Sequence, residues 1–99
     1  MNLQEIDSVN ITILVDNITD RLLPSTYIVR RPSMISNQRI AESPPITEYG
    51  FSAILEISYA HGKSIKTNKF LFDTGVSKDG IVHNSYVLGV NLGDIETII

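Results

Sequence analysis

The sequence contains no cysteine, which excludes disulfides, thiolate zinc sites and cysteine nucleophiles. It contains two histidines, where a metal site needs three or four converging ligands. No apolar run approaches the roughly 20 residues of a membrane-spanning helix. Blocks of like charge are also missing. Eight Lys and Arg against eleven Asp and Glu leave a net charge of −3, so there is no basic footprint for nucleic acid or an anionic membrane. Neither a glycine-rich phosphate loop nor a Gly-x-Ser-x-Gly nucleophile elbow occurs. The opening "MNLQEIDSVN" lacks the basic segment and apolar core of a secretory signal. The expectation is a soluble, cytoplasmic chain with no nucleic-acid or membrane partner.

What is present is globular in composition. With 99 residues, 42% hydrophobic and 19% charged, the chain fits one small domain or part of a larger one. "VNITILV" alternates with period two and predicts a strand over 9–16, closed by Asp16-Asn17. Residues 18–47 carry Pro24, Pro32, Pro44 and Pro45 and predict a long loop, because proline removes backbone donors and fixes φ. Its arginines (Arg21, Arg30, Arg31, Arg39) read as solvated charge, with contact to an anionic substrate as the functional alternative. A hairpin is predicted over 50–73. Phe51, Ala53, Leu55, Ile57 and Tyr59 share a face of its first strand, and "HGKSIKTN" supplies a somewhat long connection. Phe70-Leu71-Phe72 is apolar on both faces and predicts an interior strand covered above and below. "SKDGIVHNSYVLGV" predicts a helix over about 79–88, with Ile81, Val82, Ser85 and Tyr86 at helical spacing and Gly89 past its end. A further strand is expected to begin over 96–99. The order predicts a mixed α/β architecture, mostly strand. An ending on Ile98-Ile99, inside that expected strand, predicts a partial domain whose reading frame once continued.

Two histidines without further ligands at metal spacing, His61 and His83, read as structural or surface residues. Asp73 is the sharper candidate, because a carboxylate ends an apolar strand within Asp73-Thr74-Gly75. The plain reading is a turn cap, the carboxylate accepting nearby backbone N–H groups. A capped carboxylate can also orient a neighbouring metal ligand. The functional alternative is a dimeric aspartic protease, in which "LFDTG" would supply half of a carboxylate dyad. Against that alternative, the residues after Gly75 read as helical and offer no flap.

Four stretches in order, "ITILVDN" (11–17), "EYGFSAILEI" (48–57), "KFLFDTG" (69–75) and "LGVNLGDIETII" (88–99), carry a resemblance. Together they are similar to the N-terminal part of a metallo-β-lactamase-fold hydrolase, in the branch that includes the dihydropterin–ribofuranosyl-aminobenzene phosphate synthases. The resemblance implies the front half of an αββα sandwich with the metal site at the strand ends. It implies that Asp73 is a support beside that metal centre, that Thr74 and Gly75 form the turn, and that Asp16 and Asn17 border the pocket. At Tyr49 the branch more often has His, within Glu-His-Gly. The branch continues its next strand into a His-x-His-x-Asp-His motif, so zinc or another divalent metal is expected in the complete protein and none on this chain. The 99 residues are then expected to be inactive alone, and to pair with the missing C-terminal half or with themselves through a bare apolar sheet face. A stand-alone interaction module is the alternative from another functional class.

Overall fold

A computed structural model describes residues 3–18, 23–32, 35–36, 39–40 and 44–99. Much of the expected 18–47 loop, including Arg21, lies outside the described residues. Within it a two-residue strand β2 (Ile35–Ser36) pairs antiparallel with β3 (Arg39–Ile40).

The rest is mixed α+β and mostly strand. β1 (Ser8–Val15), β4 (Ser52–His61), β5 (Ser64–Asp73) and β6 (Thr97–Ile98) form one sheet in the order β1-β4-β5-β6. The first two pairings are antiparallel and β5–β6 is parallel. A parallel neighbour demands a crossover, and helix α1 (Lys78–Leu88) followed by a 3₁₀ turn (Leu92–Asp94) supplies it.

The β4–β5 connection is shorter than expected. His61 pairs with Ser64, leaving only Gly62-Lys63 between the strands. Gly62 takes the left-handed φ of 64° that a tight turn demands. Ser64 to Asn68, expected to belong to the connection, extend the ladder instead. Their polarity marks an exposed strand end, not a loop.

The sheet has two unlike faces. On one, Leu14, Ile54 and Leu71 are buried under α1 and the segment behind it, with Ile81, Leu88, Val90, Leu92 and Ile95 packed against them. A bulge between Ile13 and Val15 breaks the alternation of β1. Leu14 and Val15 are therefore both buried, as one inserted residue re-aims the chain. On the other face the pairing aligns Ile13–Ala53–Phe72, Ile11–Leu55–Phe70 and Val9–Ile57–Asn68 in rows across β1, β4 and β5. Ile11 is 63% exposed, Ile13 52% and Phe72 37%.

This corrects the expectation for Phe70-Leu71-Phe72. The strand is interior in the sheet, but only Leu71 is buried and Phe72 is exposed. The helix face also differs from expectation. Val82 and Tyr86 point to solvent, while Asn84 and Ser85 are the buried positions between Ile81 and Leu88. Ser85 resolves its own burial by donating to Ile81 O at 2.6 Å. Ser77 caps the helix start through Gly80 N, and Gly89 closes it at φ 68°.

Candidate functional site

The end of β5 meets three other segments. Asp73 pairs with Ser52 at the start of β4, and its Oδ1 accepts from Ser52 Oγ at 2.6 Å and from Gly75 N at 2.7 Å. The second of these is the turn cap expected of an Asp two residues before the donor. Its other oxygen, Oδ2, has no hydrogen bond among the described residues. Thr74 locks the same turn to the chain before β4. Its N–H and Oγ1 both reach Phe51 O, at 2.9 and 3.1 Å, and Oγ1 accepts from Phe51 N at 3.1 Å.

Glu48 is the second carboxylate of the site. It accepts from Ser77 N at 3.3 Å and from Ser77 Oγ, so it lies across the N-terminus of α1, where the helix dipole favours negative charge. Three glycines make room for these contacts. A Cβ on Gly75 would stand 3.0 Å from both Asp73 Oδ1 and Glu48 Oε1, so the two carboxylates are close neighbours. One on Gly80 would stand 2.9 Å from the Glu48 carboxylate, and one on Gly50 would stand 2.6 Å from Thr74 O. Gly50 also sits at φ 119°, which side-chain-bearing residues avoid.

The loop before Glu48 is fastened from beneath. Asn84, 1% exposed, donates to Leu14 O at 2.6 Å and Ile46 O at 2.9 Å, and accepts from Ile46 N at 2.8 Å. The bulge leaves Leu14 out of register, and Asn84 takes up its carbonyl. His83 Nε2 meets Pro44 O at 2.9 Å. An open cleft of about 590 Å³ lies outside this assembly, lined by Asn17, Thr47, Glu48, Tyr49, Val76 and Ser77.

Of the residues expected to matter, Asp73, Thr74 and Gly75 thus form one bonded turn. Asn17 borders the cleft. Asp16 is bonded to its neighbour, accepting from Asn17 N at 2.7 Å, and its carbonyl accepts from Glu48 N at 3.3 Å. Sequence reasoning left Glu48 without a role and missed Asn84. Glu48 meets a partner 29 residues away, which no local pattern reports. Asn84 had a usable signal, a polar residue three positions after Ile81 and four before Leu88 on the packed side of the helix.

The donors do not converge on a metal. Among the described residues no three His, Asp or Glu side chains cluster at metal-holding distance. His61 ends β4 nine residues from Ser52, about 30 Å away at about 3.4 Å per residue, and His83 is bound to Pro44. Among the described residues the donor set therefore does not fit a zinc centre. The chain matches no family model, no curated protein and no solved structure.

Proposed function

We propose that this chain is the front portion of a metallo-β-lactamase-type, metal-dependent hydrolase. In this reading Asp73 orients a metal ligand, and the ligands themselves come from outside these residues. The layering is what supports it most. One face of the sheet carries a helix and the other is apolar and bare, the arrangement expected of half an αββα sandwich. The parallel strand β6 adds weight, since Ile99 O accepts from Asp73 N at 3.4 Å. A metal motif following this strand, as in the family, would start beside Asp73. With Oδ1 held by two donors, Oδ2 would accept an imidazole N–H and fix that ring's orientation in this reading. Asn17 and Glu48 would border the substrate side of the same cleft. The 99-residue chain is expected to bind no zinc and to show no turnover by itself.

The test is to sequence the source DNA through the codon for Ile99 and about 150 codons further, the length of an ordinary domain remainder. A His-x-His-x-Asp-His motif, in frame or one frameshift away, is the expected result. Its absence from all frames overturns the hydrolase reading. So does stoichiometric zinc on the purified chain.

A further inference from the structure

β1 is the outermost strand of its sheet. On one side Ser8 to Ile13 pair residue for residue with Ser58 to Ala53. On the other, no described segment hydrogen-bonds to them. In an antiparallel ladder alternate residues turn both backbone groups away from the partner strand, so this edge presents a row of N–H and C=O groups to water. The run stops at the bulge, where Leu14 O is already taken by Asn84 at 2.6 Å. Sheet edges are commonly blunted by charge or proline within the strand. Ser8–Val15 has neither. Charge stands at its two ends instead. Glu5 and Asp7 precede the strand and Asp16 follows it, all three exposed and none in an ion pair among the described residues. No Lys or Arg occurs before Arg21.

We propose that the outer edge of β1 binds an extended peptide segment of about six residues, adding it to the sheet as a further strand, and that this segment carries Lys or Arg at both ends. The acidic ends choose this occupant. A second copy of β1 laid alongside, in either direction, would set acid against acid at both ends, which like charges across a strand pair oppose. A strand with basic ends meets opposite charge at both. The pleat adds a second requirement. Val9, Ile11 and Ile13 share the bare face, whereas Ser8, Asn10 and Thr12 lie on the other. A bound strand that alternates apolar with polar residues extends the Ile11–Leu55–Phe70 and Ile13–Ala53–Phe72 rows by one side chain each. Backbone pairing then supplies the affinity, and the ends supply the choice of partner.

This edge stands apart from the hydrolase reading, because it concerns β1 whatever follows Ile99. The test is NMR titration of the ¹⁵N-labelled 99-residue chain with three synthetic peptides. All share a Val-Thr-Val-Thr-Val-Thr centre; one has two lysines at each end, one has two glutamates at each end, and the third repeats the first with alternate backbone nitrogens methylated. The lysine-ended peptide should bind about tenfold more tightly than the glutamate-ended one at low salt, and the preference should fade in about 1 M salt. Amide exchange should slow at alternate residues of Ser8–Ile13, and the methylated peptide should not bind, since it cannot complete the ladder. Failure of all three peptides to bind overturns the proposal. So do equal binding of the two unmethylated peptides, full binding of the methylated one, or protection confined to residues outside β1. Any of these leaves the hydrolase reading standing, and absence of a downstream metal motif leaves the edge site standing.

Discussion

At the scale of single residues, the site depends on what is small and what is buried. Gly50 has no conformational or steric room for a methyl group: φ is 119° and the nearest atom, Thr74 O, would be 2.6 Å away. Gly50→Ala should destabilise the chain by about 2–4 kcal/mol, combining backbone strain with a displaced turn. Gly62→Ala is the control. It has positive φ but nothing within 4 Å, so only the left-handed penalty of about 1–2 kcal/mol applies. Urea unfolding of the two variants measures the difference, and equal losses would contradict the packing of Gly50 on the turn. Asn84 is the polar counterpart. Asn84→Leu strands Leu14 O and both polar groups of Ile46, and should cost about 2–4 kcal/mol. Hydrogen exchange should then quicken at Ile46 and remain slow at the centre of β4.

At the scale of elements, the ladder between β4 and β5 ties the sheet to the 3₁₀ turn through one cation. Lys69 Nζ lies 3.1 Å from Glu56 on the neighbouring strand and 3.4 Å from Asp94. The hydrogen bond that Lys69 donates to Glu56 is the main cause that holds its ammonium above the ordinary lysine value; partial desolvation opposes it, and the Glu56 charge and the hydrogen bond to Asp94 with its charge add to the rise. A raised pKa in the folded state means that its stabilising contribution is complete below 10.5, the ordinary value, and is lost as pH climbs through the raised one. The urea midpoint should fall above pH 10.5. Lys69→Met should remove part of that fall, which assigns that part to Lys69. The elements were the most legible part of the sequence. Period-two alternation placed β1 and β4, and Gly89 marked the end of the helix, because these signals are local. The two-residue turn at Gly62-Lys63 was not, since Ser64 to Asn68 are too polar to look like a strand until their partners on β4 are known. Nor does alternation say which face is covered. It groups Val9, Ile11 and Ile13, and only the position of α1 leaves them exposed. The turn cap at Asp73 was legible because its donor is two residues away, whereas Glu48 depended on a helix start that tertiary structure brings to it.

At the scale of the whole molecule, the core is small for the chain. The fully buried apolar residues are few, Leu14, Val15, Ala53, Ile54 and Leu71 among those described. Such a core leaves stability marginal, so a process that buries the second sheet face contributes a large share of it. Association and folding then become linked, and the unfolding midpoint acquires a dependence on protein concentration that a monomer lacks. If self-association covers the apolar face, raising the protein concentration about a hundredfold should lift the thermal midpoint of the wild-type chain by several degrees, as a small domain shifts about 4–8 °C per kcal/mol. Leu55→Glu places a carboxylate at the centre of the face, between Ile11 and Phe70. Its midpoint should stay lower and flat across the same concentrations. A wild-type midpoint independent of concentration would instead mean that the small core carries the fold alone, with the apolar face tolerated in water.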